Sequence, residues 1–149
     1  MLPLRAEILQ GFRTKFQLFT VPGQVIYNST RQLVQRNVDG VVFVADSQWD
    51  EMEENVLTFR NLEENLQTEG ISLDEFPYVL AFNKRDLQDI GPTNYLEYLL
   101  NNRNGRVRRF ESVAKTGVNV FATLDAVTQL LLRKFDTEHS ELRPLSTGR

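Results

Sequence analysis

Two uninterrupted apolar runs place the strongest constraint on how this chain folds. Residues 41–45 are VVFVA and residues 78–82 are YVLAF, and each run ends at a polar cluster. Continuous runs of this length are typical of parallel strands that are covered on both faces. Between the runs, apolar residues recur at helical spacing, which predicts a helix over residues 50–67. The stripe consists of Met52, Val56, Phe59, Leu62 and Leu66.

The flanking segments continue this alternation of strands and helices. Apolar and polar residues alternate over 12–18, and a short segment at 6–9 precedes the turn residues Gln10 and Gly11. This pattern predicts an antiparallel hairpin. We further expect helices over 29–36 and 93–101, a short strand over 106–110, and a final helix capped by Asn119. Its expected inner face is Val120, Leu124, Val127, Leu131 and Phe135.

The predicted fold class is therefore α/β, with a mostly parallel sheet, helices on both of its faces and an opening antiparallel hairpin. We assign residues 1–136 to one domain and residues 137–149 to a polar C-terminal tail that contains proline and glycine. In such sheets, ligands bind beyond the carboxyl ends of the strands.

Composition excludes several functional classes. The chain has no cysteine and a single histidine, His139, so thiol chemistry, disulfides and histidine-cluster metal sites are ruled out, and we predict no metal site of its own residues. Its 17 Lys and Arg against 20 Asp and Glu argue against nucleic-acid binding. Apolar runs stay well below the roughly 20 residues of a transmembrane helix, and no signal peptide is visible, so we expect a cytoplasmic protein.

The segment Asn83-Lys84-Arg85-Asp86 carries the sharpest chemical signal. An aspartate at a strand end can accept two parallel hydrogen bonds from guanine, at N1–H and the exocyclic amine, whereas adenine offers no such pair of donors. Asn83 can bind the other base edge and brace neighbouring loops, and the stem of Lys84 can lie along the base face. The alternative is an exposed turn of charged residues.

Two further segments are weaker signals when each is taken alone. Val113-Ala114-Lys115 follows the next strand, where a small residue lets a backbone N–H approach the guanine carbonyl and Lys115 can cover the base. The alternative is a polar strand-to-helix loop. After the hairpin, Gly23 lets its N–H approach a phosphate, and Gln24 could orient an attacking water. The alternative there is a Pro-Gly turn.

Together these segments resemble the Ras-like small GTPases, and within them the bacterial gliding-motility, or MglA, type. The resemblance covers residues 2 to about 132. It rests on LPLRAEILQGFRTKFQLFTVPGQ, VDGVVFVADS, FNKRD and ESVAKTG. Thr20 stands where most small GTPases have an aspartate that holds a magnesium-bound water, and the MglA type shares this threonine. Val113 replaces a more usual serine.

The resemblance implies roles for individual residues. Gly23 is expected near the γ-phosphate, with Gln24 as the catalytic, water-positioning residue. Asn83, Lys84 and Asp86 are expected to bind guanine, with Ala114 and Lys115 completing the base pocket. The implied cofactors are GTP or GDP with Mg²⁺ in the complete family domain, and the implied partners are a roadblock-type GTPase-activating protein and effector proteins.

One family motif has no counterpart in these residues. No G-x-x-x-x-G-K-[ST] phosphate loop occurs, so we expect a Ras-like domain without its first strand and first helix. Strands over 12–18 and 41–46 would then each lack a neighbour. A late gene start, a strand supplied by another polypeptide, direct pairing of the two strands, or a dimer through the exposed edges would each account for this.

Two hypotheses on function follow. The first is a switch that binds GTP and GDP, hydrolyses GTP slowly and regulates polarity or motility, as the family resemblance implies. The second is a pseudo-GTPase that has lost phosphate binding and acts as an interaction module. Most affinity for GTP comes from phosphate and magnesium contacts, so the base pocket alone should bind weakly.

Overall fold

The computed structural model describes residues 4–5, 14–21 and 37–141. Its strands are β1 (Leu4–Arg5), β2 (Lys15–Phe16), β3 (Val41–Asp46), β4 (Tyr78–Asn83) and β5 (Arg109–Glu111). Its helices are α1 (Met52–Thr68), α2 (Thr93–Leu100) and α3 (Val120–Glu141), and a 3₁₀ turn, Trp49–Glu51, leads into α1.

Strands β3, β4 and β5 form a parallel sheet with β4 at its centre. The register pairs Val41 with Tyr78 and continues to Asp46 opposite Asn83. Strands β1 and β2 pair antiparallel in a separate two-stranded sheet. The predicted mostly parallel sheet is confirmed, and an antiparallel strand pair precedes it. The first strand of that pair is Leu4–Arg5, whereas the strand predicted at 6–9 lies outside the described residues.

Helices cover both faces of the three-stranded sheet, as predicted. Because side chains alternate along β4, Tyr78, Leu80 and Phe82 pack on one face, in the cluster that contains α1 and α2. On the other face, Val79 packs against Ala126 and Val127 of α3. The sheet is thus the middle layer of three, which explains why β4 is apolar throughout.

The predicted boundaries of two helices and the predicted apolar face of α1 agree with the structure, whereas the predicted face of α3 agrees only in part. The helix predicted over 50–67 is α1, and the one predicted over 93–101 is α2. In α3, however, the residues buried against the sheet are Thr123, Ala126 and Val127, whereas Phe135 is 41% exposed. Val127 is buried as predicted, whereas the predicted inner residues Leu124 and Leu131 are half-buried.

Two other expectations meet the structure only in part. The strand predicted over 106–110 is shifted to Arg109–Glu111, and α3 continues to Glu141, so the assigned domain boundary at residue 136 falls inside a helix. The predicted helix over 29–36 and the turn at Gln10 and Gly11 lie outside the described residues.

The edge of β3 remote from β4 has no strand neighbour among the described residues. Within the described ranges β3 is hydrogen-bonded to β4 alone, and the hairpin belongs to a different sheet, so direct pairing of the two strands is not observed. Val44, on the face of β3 opposite α1, is 57% exposed. An apolar strand residue this open is available for contact with a further element.

Buried polar side chains complete the hydrogen bonding where strands and loops end. Asn55 of α1 accepts from the Asp46 amide at 3.0 Å and donates to the Asp46 carbonyl at 2.7 Å, which closes the end of β3. Asn101 makes the same pair of bonds with the backbone of Val107. Each amide side chain thus substitutes for a missing strand neighbour.

Two buried serines differ in whether their hydroxyls have partners, and this difference predicts opposite mutational effects. The Ser112 hydroxyl donates to Asn83 Oδ1 at 3.3 Å, whereas the Ser47 hydroxyl is buried with no partner among the described residues. Ser112→Ala should lower the free energy of unfolding by about 1–2 kcal/mol, and Ser47→Ala should leave it unchanged or raise it by up to about 1 kcal/mol. Urea denaturation of both variants measures this; a larger loss for Ser47→Ala would contradict it.

Glu111 gives a pH-dependent prediction. The Thr93 hydroxyl donates to its carboxylate at 2.6 Å and Arg85 lies 3.3 Å away, and these contacts, the hydrogen bond foremost, lower the pKa of Glu111. A lowered folded-state pKa stabilises the fold above the unfolded pKa of about 4.3, and this stabilisation disappears as the pH falls through the folded value.

Glu111→Gln should therefore lower stability at pH 7 by less than about 1 kcal/mol, because the site is partly open to solvent. Its deficit relative to wild type should shrink as the pH falls below the unfolded pKa. Thermal denaturation from pH 7 to pH 3 measures the difference, with Glu53→Gln at an exposed position of α1 as the control. A deficit that stays constant over this range would show that the carboxylate charge is not responsible.

Candidate functional site

The candidate site lies at the edge of the sheet where the three parallel strands end. Asp46, Asn83 and Glu111 are the last residues of β3, β4 and β5. Because the strands are parallel, the polar segments that follow them emerge on the same side. The structure therefore brings together the segments around Asn83 and Ala114, as the sequence predicts.

The side chain of Asn83 connects the loops after β4 and β5. Its Oδ1 accepts hydrogen bonds from the Ala114 amide at 2.9 Å and from the Ser112 hydroxyl at 3.3 Å. Its backbone carbonyl accepts from the Ser47 amide at 3.1 Å, which adds the segment after β3. One residue thus holds three strand ends in a fixed arrangement.

Lys84 turns the chain away from the sheet in a left-handed conformation, with φ of 62°. Its ammonium pairs with Asp46 Oδ2 and donates to Gln48 Oε1 at 3.0 Å. The hydrogen bond to Asp46 is the main cause that raises the pKa of Lys84. The lysine is therefore held toward the end of β3 in this structure, by two partners that the sequence analysis did not identify.

Asp46 is itself fixed from two sides. Its Oδ1 accepts from the Gln48 amide at 3.0 Å, and its backbone is bound by Asn55. An aspartate that ends a buried strand is a signal that sequence alone provides, but its partner on another strand depends on the register of β3 and β4.

Arg85 is a second residue of the site that the sequence analysis left without a role. Its Nη1 donates to the Gly91 carbonyl at 2.7 Å, and its Nε lies 3.3 Å from Glu111 Oε1. The side chain is only 18% exposed. The side chain is therefore mostly covered and is held by one hydrogen bond and one ion pair.

Asp86 and Lys115 are exposed. Within the part of the chain that the structure describes, no hydrogen bond or ion pair engages the Asp86 carboxylate, so its oxygens are available to accept from a ligand. Ala114 and Lys115 lie in a turn in which the Gly117 amide donates to the Ala114 carbonyl at 3.2 Å. The described part of the site thus offers free acceptors beside an internally bonded frame.

Other sequence-predicted residues can be placed only in part. Gly23 and Gln24 lie outside the described residues, whereas Thr20, just before them, is exposed. Trp49 stacks against Tyr95 with ring centroids 5.3 Å apart and is 44% exposed, so it contributes to packing and to an open aromatic surface.

Residues 4–5, 14–21 and 37–141 contain no group of three or more His, Asp or Glu side chains placed to hold a metal ion. No helix in these ranges is long and apolar enough to cross a membrane.

Comparison with known proteins identifies two relatives. The chain is 47% identical over 131 residues to the mutual gliding-motility protein MglA of Myxococcus xanthus (strain DK1622), a match that covers 88% of this chain and 66% of that protein. It is 27% identical over 139 residues to the Ras-related protein rab-39 of Caenorhabditis elegans, covering 93% of this chain and 59% of the relative. No family model matches.

The chain therefore spans slightly less than two thirds of the length of both relatives. The MglA match includes nearly the whole length of this chain, and the parallel sheet with helices on both faces is the architecture that the resemblance implies. On this sequence identity and this fold, the chain belongs to the Ras-like small GTPases and, among them, to the MglA type.

Proposed function

We propose that this chain forms the guanine-binding part of an MglA-type GTPase domain that switches between GTP and GDP states. The observation that carries the proposal is the frame around Asn83. Its side chain holds the Ala114 amide and the Ser112 hydroxyl, while the Asp86 carboxylate nearby in sequence has no partner among the described residues. A merely solvated turn would not need a frame that joins the ends of three strands.

Hydrogen-bond chemistry supports guanine as the base. An ionised Asp86 offers only acceptors, which match the N1–H and exocyclic amine of guanine and mismatch adenine, whose N1 is itself an acceptor. In this structure the Ala114 amide donates to Asn83. A guanine carbonyl would therefore share that donor or use the backbone amide of Lys115.

Lys84 needs to change partners if its stem is to lie along the base. Its ammonium is paired with Asp46 and Gln48, which belong to the segment after β3. Because this pair is 46% exposed on the lysine side, breaking it costs little. The proposal therefore includes a small rearrangement of one flexible side chain on nucleotide binding.

Phosphate binding and hydrolysis form the further part of the proposal. Gly23 would approach the γ-phosphate and Gln24 would orient the attacking water, as the family resemblance implies. The described residues supply no acidic cluster for Mg²⁺ and the 149 residues contain no G-x-x-x-x-G-K-[ST] motif, so we assign no ligand of the metal here. Acceleration of hydrolysis by a roadblock-type protein, action on effectors, a role in polarity or motility, and a cytoplasmic location belong to the same proposal.

A second candidate is a pseudo-GTPase that binds protein partners and does not hydrolyse GTP. The unpaired edge of β3 among the described residues and the exposed Val44 would offer such a module a contact surface, including one for a second copy of the chain.

Equilibrium titration with a fluorescent GDP analogue and Mg²⁺ separates the two candidates. We expect weak, guanine-specific binding by the 149-residue chain, and tight binding by a version preceded by the phosphate-loop segment of the MglA relative. Failure of a well-folded extended version to bind would favour the pseudo-GTPase, whereas failure of the 149-residue chain alone would leave the extended version to decide. Submicromolar binding by the 149-residue chain itself would show that these residues already contain the phosphate contacts.

Asp86→Asn tests the assignment of the base-binding carboxylate. We expect it to weaken GDP binding by roughly 100-fold, because the amide presents a donor to the guanine amine and leaves one hydrogen bond unmade. The same amide should improve binding of xanthosine diphosphate, which has a carbonyl in place of the amine. Competition titrations of both nucleotides measure this.

Asp89→Asn, an exposed aspartate in the same loop, is the matched control and should change neither affinity. Unchanged GDP binding by Asp86→Asn would remove Asp86 from the site. Equal losses in the two variants would point to loop charge in place of a specific contact.

A further inference from the structure

We propose that Arg85 is the positioning residue that fixes the base-binding loop, defined as residues 84–91, and thereby sets the preference for guanine. The inference rests on the proposed function as far as guanine is concerned, but its structural half can be tested without nucleotide. Arg85 stands between Lys84 and Asp86, the two residues proposed to contact the base.

The guanidinium joins the beginning of the loop to its end. Arg85 Nη1 donates to the carbonyl of Gly91 at 2.7 Å, and Nε lies 3.3 Å from Glu111 Oε1 at the end of β5. The backbone amide of Arg85 also donates to the Ser112 carbonyl at 3.2 Å. The loop is consequently closed on itself and attached to the neighbouring strand by one residue.

Gly91, the end of the loop to which Arg85 donates its hydrogen bond, is itself fixed in place. The Gly91 amide donates to the Ser47 carbonyl at 2.8 Å, and a Cβ on Gly91 would lie 2.5 Å from Met52 Cε. One residue earlier, Ile90 forms a bridge with Gln48. Arg85 is therefore bonded to Gly91, a residue that is itself held against the segment after β3.

Asp86 depends on this anchorage because its carboxylate has no partner of its own within the described ranges. Its backbone is held only through its neighbours: Arg85 before it, and the Leu87 amide, which donates to the Lys84 carbonyl at 3.2 Å. Lys84 adopts a φ of 62°. This conformation costs a non-glycine residue free energy and persists only where surrounding contacts hold it. Removing the Arg85 contacts should therefore allow the backbone of residues 84–91 to move, so that the Asp86 backbone is no longer held in one position.

The geometry requires arginine and not simply a positive charge. Two nitrogens of the rigid guanidinium face partners on different elements: Nη1 donates to the Gly91 carbonyl, and Nε forms an ion pair with the Glu111 carboxylate. A lysine ammonium is a single point on a flexible stem and cannot hold both in one fixed geometry. Arg85→Lys should therefore restore the charge without restoring the anchorage.

Amide hydrogen exchange on the 149-residue chain tests the anchorage directly. In Arg85→Gln we expect the Leu87 and Gly91 amides to exchange about tenfold faster or more, while amides of β4 keep their protection. Arg109→Gln is the matched control, because Arg109 also contacts Glu111, at 3.5 Å, but its other partner is Glu97. Unchanged loop exchange in Arg85→Gln, or equal acceleration in Arg109→Gln, would overturn the inference.

The effect on base preference is measured by comparing GDP with inosine diphosphate, which lacks the exocyclic amine. Titrations followed by NMR chemical shifts of the 149-residue chain detect even weak binding. We expect the wild-type ratio of the two affinities to favour GDP, and to fall several-fold toward one in both Arg85→Gln and Arg85→Lys. Equal weakening of both nucleotides would indicate general destabilisation and overturn the positioning role.

The two readouts distinguish failure of this inference from failure of the proposed function. If the wild-type chain does not discriminate between the two nucleotides, base binding by Asp86 fails, and the claim that Arg85 sets base preference fails with it. Hydrogen exchange then still decides whether Arg85 anchors the loop. Rescue of both the exchange rates and the affinity ratio by Arg85→Lys would show that charge alone suffices, against the proposal.

Discussion

The pairing of β4 with both of its neighbours is the constraint on which the rest of the described structure depends. The register that sets Asp46 opposite Asn83 and Phe82 opposite Glu111 also fixes where each strand ends. The loops that follow therefore emerge at one edge of the sheet, within reach of single side chains. Asn83 can hold the Ala114 amide only because β4 and β5 end within a few residues of one another.

This arrangement separates two kinds of group in the candidate site. Asn83, Arg85 and Ser112 form hydrogen bonds inside the protein, whereas Asp86 and Lys115 face outward. The inner groups lose rotational freedom during folding and not during binding, so the backbone that carries the outer groups is already ordered before a ligand arrives. A guanine-binding half-site of this kind contributes selectivity, while the phosphates and metal contribute most of the affinity.

The main elements of the fold could be predicted from sequence because their signals are local. The apolar runs that became β3 and β4 and the stripe on α1 depend on residues close together in the chain. On α3 the burial of Val127 was predicted but that of Thr123 and Ala126 was not, because it depends on strands that are distant in the chain. The contacts of Arg85 and the pairing of Lys84 with Asp46 could not be predicted either. Their partners come from other strands and loops, and the periodicity of the sequence carries no information about them. The segments proposed to bind the base were predicted from their position after buried strands and from family resemblance. Gly23 and Gln24 lie outside the described residues.

The left-handed backbone of Lys84 has a consequence for how stability and activity are balanced in this domain. Glycine would adopt this conformation without the roughly 1 kcal/mol that a Cβ costs there, so the lysine makes the fold less stable than it could be. A substitution selected purely for thermal stability would favour glycine at this position and would delete the side chain whose stem we propose to lie along the base. Consensus or stability-driven redesign of such domains should therefore leave position 84 untouched, since here the local optimum for the backbone and the requirement of the ligand are in direct conflict.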